Sequence, residues 1–174
     1  FCDVIDFLIK KLIDRPPHVF ADNEEISEEQ VKINWEKIKL KNNKKGLLSG
    51  VPKSMPPISK AYRVQEKVSS IGFNWDNSQG VFGKIEEELK EFNDALKENN
   101  KVKINEEYGD ILFTLINYSR FIDVDPEISL NSSTNKFIKR FNSLEILAKS
   151  NNKKISELSF EQLNKMWEKI KSSD

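Results

Sequence analysis

Two acidic stretches carry the chemistry this chain is equipped for. Residues 84–92 read KIEEELKEF, and residues 103–112 read KINEEYGDIL. Each holds an acidic pair three positions apart, Glu88 with Glu91 and Glu107 with Asp110. On a helix turning roughly 100° per residue, Ile85, Leu89, Phe92 and Leu96 gather on one face, and Glu88 and Glu91 stand at roughly −60° and −120° from Ile85. With Ile104 as origin, Ile111, Leu115 and Ile122 share its face and Tyr108 and Leu112 flank it. Glu107 and Asp110 then stand at roughly −60° and −120° again. If two such helices pack antiparallel, four carboxylates converge at the edge of the core. Their repulsion is severe unless a cation sits among them, and hard divalent cations seek oxygen-rich sites of this kind. A single ExxE pair is ordinarily a solvated helix face, because Glu is a good helix former and common on surfaces. The second pair at the same offset is what favours a metal site.

Scarce residues narrow the metal. The chain has one Cys, Cys2, and one His, His18. An internal disulfide, a thiolate zinc site, a multi-histidine zinc site and a Glu-x-x-His di-iron bundle are therefore excluded. Oxygen ligands remain, which means Mg²⁺, Mn²⁺ or Ca²⁺. The isolated Cys2 fits a reducing compartment. His18, within RPPHVF, has no partner ligands nearby and reads as a structural loop residue.

Charge narrows the partner. Lys and Arg number 28 and Asp and Glu 28, a formal net charge of +0, whereas general nucleic-acid or anionic-membrane binding needs a basic excess. No apolar run approaches the roughly 20 residues of a membrane span. A small polyanion is a better match. Lys136 and Arg140 lie one helical turn apart between Phe137 and Phe141. Such a pair is by itself more often an ordinary solvated basic face; near the acidic cluster it would hold phosphate oxygens, Arg as a planar fork and Lys as a point charge. Lys103 precedes the second acidic pair by one turn. Trp167 and Trp75 could stack on a base, although tryptophans at helical spacing are more often core.

The elements that must position these residues are helical. Only 6 Gly and 6 Pro occur, and long Glu/Lys/Leu/Ile-rich segments predict an all-α chain. Helices are expected at residues 1–14, 27–40, 58–71, 80–98, 105–122, 126–149 and 159–172. Ser27 with Gln30 and Ser159 with Gln162 have capping-box spacing, and Asp125 before Pro126 suits a helix start. Phe113 points away from the buried stripe, which predicts a helix covered on two sides by a partner, a second subunit.

An internal repeat organises the chain. Residues 26–39 (ISEEQVKINWEKIK) align without a gap to residues 158–171 (LSFEQLNKMWEKIK), and Lys11/Arg15 upstream match Lys136/Arg140. The expected layout is the end of a first repeat at 1–41, a linker at 42–57 rich in Gly, Pro and Asn, and a second, complete domain at 58–174. The front half of the first repeat is expected to be missing.

With these motifs together, EExxE (Glu87, Glu88, Glu91) followed by ExxD (Glu107, Asp110), the chain resembles the MazG family of nucleoside triphosphate pyrophosphohydrolases. GVPKSMPPISKAYRVQEKVSSIGFNW at 50–75, EEYGDILFTLINYSR at 106–120, KFIKRF at 136–141 and MWEKIK at 166–171 resemble the second domain of two-domain members. KLIDRPPHVFAD at 11–22 and NWEKIK at 34–39 resemble the end of the first. Thr134 stands where many relatives carry Asn, and Pro16 replaces the usual His of RHPHVF. The resemblance implies a MazG-like all-α bundle completed by dimerisation or higher homo-oligomerisation. It implies hydrolysis of NTP to NMP and pyrophosphate with Mg²⁺, for which Mn²⁺ can substitute, as cytoplasmic house-cleaning of nucleotide pools. By resemblance Glu88, Glu91, Glu107 and Asp110 are catalytic metal ligands, assisted by Glu87. Lys103, Glu106, Lys136, Arg140 and Trp167 fall at nucleotide-contacting positions. The competing reading is a catalytically silent helical module for dimerisation or regulation.

Overall fold

The computed structural model describes residues 4–6, 9 and 46–172. Among them the regular elements are all helical, with no strand. Five α-helices follow one another: α1 Pro57–Ser69, α2 Ser78–Lys97, α3 Lys101–Phe121, α4 Pro126–Ser150 and α5 Phe160–Ser172. Single 3-10 turns occur at Leu47–Gly50, inside the expected linker, and at Ile155–Glu157. The chain divides into two compact units, Phe1–Asp123 and Val124–Asp174, a boundary that falls inside residues 58–174. Residues 4–6 and 9 are helical. The expected helix at 27–40, its Ser27–Gln30 box, Lys11, Arg15, His18 and the first copy of the repeat lie outside the described residues.

In the first unit, each helix ends where its sequence dictates. Gly72 follows α1 with φ +88, and Phe73 N–H donates to Val68 O at 3.1 Å. A left-handed residue at this place closes the last turn and suits glycine. α2 starts on Asn77, whose side chain accepts from Gly80 N–H at 3.0 Å. Trp75 lies over this first turn, so that a Cβ on Gly80 would stand 2.8 Å from the indole Cδ1. At the far end Asn99 turns left-handed (φ 52), Asn100 N–H donates to Ala95 O, and the Asn100 side chain caps α3 by accepting from Val102 and Lys103 N–H. Two adjacent asparagines thus end one helix and begin the next. This cap starts α3 at Lys101, four residues earlier than periodicity suggests.

The short turn makes α2 and α3 a hairpin. Phe82 meets Tyr118 and Phe92 meets Tyr108, each with ring centroids 6.0 Å apart. Ten residues forward on α2 correspond to ten residues back on α3, which is the antiparallel register the acidic pairs require. α1 is pinned to α3 by Gln65, buried, whose Nε2 donates to Phe113 O at 2.7 Å.

The buried stripe corrects the expected one. Val81, Ile85, Glu88 and Ala95 are the buried residues of α2, and Ile111, Thr114, Asn117 and Ser119 those of α3. Leu89, Leu96, Leu112, Leu115 and Ile122, expected in the core, are exposed. α2 therefore carries two apolar stripes, whereas the buried face of α3 is mostly polar, and helical periodicity alone does not say which face meets the neighbour. Fully burying an aliphatic side chain such as Val81 or Ile85 contributes about 1.5–3 kcal/mol.

In the second unit α4 packs with α5. Asp125 accepts from Glu127 and Ile128 N–H ahead of Pro126, as the sequence implies. Ser159 and Gln162 close a reciprocal capping box, at 3.0 Å from Ser159 N–H to Gln162 Oε1 and 3.3 Å from Gln162 N–H to Ser159 Oγ. Leu144 and Ala148 form the buried centre.

Candidate functional site

The antiparallel hairpin brings Glu88 of α2 against Glu107 and Asp110 of α3. One carboxylate oxygen from each lies within 4.8 Å of the others. Glu88 is 5% exposed, Glu107 half-buried and Asp110 exposed, so the trio runs from the core to the surface. Glu88 stands on the buried stripe itself, one turn after Ile85, rather than beside it. That position follows from the corrected core.

Electrostatics bear the marks of crowding. The Glu107 carboxyl is pushed above the usual carboxylate range, first by desolvation and then by the negative charges of Glu91, Glu88, Asp110 and Glu106. Glu91 is exposed and is not one of the three within 4.8 Å, yet its charge is the foremost of those acting on Glu107. Glu106 is exposed on the same helix. Glu87, also exposed, accepts from Lys84 Nζ at 2.8 Å. Lys84 reaches Glu88 as well, at 2.9 Å, and its ammonium is raised well above the ordinary lysine range by hydrogen bonds to Glu87 and then Glu88.

The donor set suits a hard divalent cation. It is built from carboxylate oxygens, and a point amid three oxygens no more than 4.8 Å apart lies within about 2.8 Å of each. Closing that to the range of Ca²⁺ needs at most about 0.2–0.5 Å, and to that of Mg²⁺ at most about 0.7–0.8 Å, taken up at the half-buried and exposed members. A cation there would also relieve the repulsion on Glu107. The arrangement can hold a divalent ion against an anionic substrate.

The remaining sequence candidates are divided between the two units. Lys103 is exposed and paired with Glu98 Oε2 at 2.9 Å, which raises its ammonium above the ordinary range, with Glu107 and Glu106 contributing further. Lys136 and Arg140 lie on α4 of the second unit. Trp167 lies on α5, with its ring 5.0 Å from that of Phe137, which in turn stacks on Phe141 at 6.1 Å. That contact gives Trp167 a packing role in its own unit. Two residues went unremarked in the sequence: Lys84, signalled by its i, i+3 and i, i+4 spacing to Glu87 and Glu88, and Glu98, five residues before Lys103.

Known proteins resemble the chain over nearly its whole length. Residues 78–144, covering α2, α3 and most of α4, match the family model described as MazG nucleotide pyrophosphohydrolase domain. A Thermotoga maritima protein named nucleoside triphosphate pyrophosphohydrolase/pyrophosphatase MazG is 43% identical over 99% of this chain and 66% of its own length. An Escherichia coli nucleoside triphosphate pyrophosphohydrolase is 28% identical over 100% of this chain and 68% of its own. An uncharacterised Bacillus subtilis protein, YabN, is 37% identical over 99% of this chain and 36% of its own length. This chain thus spans about two thirds of the two named pyrophosphohydrolases. Spacing, convergent carboxylates and sequence similarity lead to one assignment: the chain belongs to the MazG family of nucleotide pyrophosphohydrolases.

Proposed function

We propose that this chain is a Mg²⁺-dependent nucleoside triphosphate pyrophosphohydrolase, converting (d)NTP and water to (d)NMP and pyrophosphate. The observation that carries the reading is the convergence of Glu88, Glu107 and Asp110 on a hairpin of a MazG-family chain. These three carboxylates, together with Glu91, would hold the metal, assisted by Glu87. When bound, Mg²⁺ supplies charge neutralisation of the triphosphate, polarisation of the α-phosphorus and a lowered pKa for water; Mn²⁺ can take its place.

Water adds to the α-phosphorus, the bridging bond to the β-phosphate breaks, and pyrophosphate departs with that electron pair. A carboxylate of the cluster accepts the proton of the water. Lys103, Lys136 and Arg140 are the proposed phosphate contacts, Glu106 a further nucleotide contact, and Trp167 the platform for the base. The exposed apolar stripe of Leu89, Leu96, Leu112 and Leu115 supports a homodimer or higher homo-oligomer that covers it. Balanced charge speaks against nucleic acid as a partner, and no helix among the described residues is long and apolar enough to cross a membrane. House-cleaning of nucleotide pools in the cytoplasm is the role this chemistry serves.

The test is a panel of NTPs and dNTPs incubated with the chain, with and without Mg²⁺, reading pyrophosphate and nucleoside monophosphate. Metal-dependent release of both supports the proposal. No turnover on any nucleotide, together with no metal binding, would leave the silent helical module in its place.

A further inference from the structure

Glu88 poses a problem that the metal site alone does not solve. It is buried, and a buried carboxylate without a counter-charge is strongly unfavourable. Before a metal binds, its neighbours across the hairpin are two more carboxylates, Glu107 and Asp110. The cation in contact with it is Lys84, one turn earlier on α2, with Nζ 2.9 Å from Glu88 Oε1 and 2.8 Å from Glu87 Oε1.

The two contacts differ in kind. Glu87 is 56% exposed, so its pair with Lys84 is an ordinary surface i, i+3 pair of small energetic weight. The Glu88 side chain is 7% exposed and that of Lys84 31%, so the second pair is largely screened from water. Lys84 has three donors and can bridge both carboxylates at once. A hydrogen bond at Glu88 Oε1 takes up a lone pair that a metal would also use, and a positive charge beside the cluster repels an incoming cation.

We infer that Lys84 is the resident counter-cation of the metal-free site. It holds the Glu88 carboxylate in place within the cluster, and it competes with the divalent ion for that carboxylate. The inference rests on the metal-site reading above and adds a positioning residue to it. Removing the Lys84 charge has two effects of opposite sign. The metal-free fold loses stability, because Glu88 is left uncompensated. Metal binding tightens, because a unit charge about 5 Å from a divalent ion opposes it by roughly tenfold in affinity even at the dielectric of water.

The experiment uses the full 174-residue chain, with MgCl₂ and MnCl₂ as probes and no nucleotide. Calorimetric titration and thermal melts in EDTA are run on wild type, Lys84→Met, Lys84→Gln and Lys84→Arg. Both neutral variants are expected to melt lower in EDTA, to bind Mn²⁺ about tenfold more tightly, and to gain more melting temperature from metal than wild type does. Lys84→Arg restores wild-type affinity. A purely structural role would lower the melting temperature without tightening metal binding. In wild type, side-chain NMR of Lys84 reports release of the ammonium as Mg²⁺ is added. Unchanged or weaker metal affinity in both neutral variants, or a Lys84 signal indifferent to Mg²⁺, overturns the inference. If wild type binds neither ion, the metal-site reading itself fails and this one falls with it.

Discussion

Replacing Glu88 by Gln separates metal binding from folding. The substitution keeps shape and removes one negative charge. An ion central to three oxygens spanning at most 4.8 Å lies about 3 Å from each, and at that distance a divalent and a unit charge attract by about 3 kcal/mol even in bulk water. That is about a hundredfold in affinity. Glu88 is buried, so the local dielectric is lower and a hundredfold is a floor. Fold stability responds differently. The variant gives up the Lys84 pair but is freed from repulsion by Glu107 and Asp110. These effects oppose one another, and the melting temperature in EDTA is expected to stay within a few degrees of wild type. Mn²⁺ titration, pyrophosphate release and circular dichroism, run on one preparation, read all three quantities. A loss of metal affinity under tenfold with turnover retained would refute the reasoning, because Glu88 would then not be a ligand.

Asp110→Asn is expected to abolish pyrophosphate release with helical content intact by circular dichroism. Glu107 yields a pH dependence. Its folded-state pKa is raised, so its contribution to stability is fully present below the unfolded-state carboxylate pKa and is lost as pH rises through the folded value. Glu107→Gln should therefore raise the melting temperature of the metal-free protein at neutral pH, and the advantage should vanish on acidification below the carboxylate range; melts across pH in EDTA check this. Asn100→Ala removes a cap that accepts two backbone N–H groups and should cost about 1 kcal/mol, a fall of roughly 4–8 °C if its unit melts as a small domain. Trp167→Phe is expected to keep the packing against Phe137 while raising KM for nucleotides, measured by steady-state kinetics.

Much of the local structure was legible because it is local. Asp125 before Pro126, and Ser159 with Gln162, satisfy helix N–H groups within three residues of themselves, so the sequence suffices to place them. The early start of α3 was legible in principle too, since Asn99 and Asn100 spell a left-handed stop followed by a cap. The choice between two apolar stripes was not. Leu89 and Leu96 are as hydrophobic as Val81 and Ile85, and a helix with two such faces turns toward whichever its neighbour fills.

By itself, the sequence determined that the chain is helical, that two ExxE/ExxD pairs share one helical offset, and that any metal must be held by oxygen. Those facts follow from residue type and the fixed 3.6-residue period. Only the tertiary structure decided that carboxylate oxygens of Glu88, Glu107 and Asp110 lie within 4.8 Å of one another, and that Glu88 is buried against Lys84. The physical reason is that burial and distance depend on the rotation of α2 against α3, which is set by long-range packing between their facing stripes and by no residue's own neighbours in the chain.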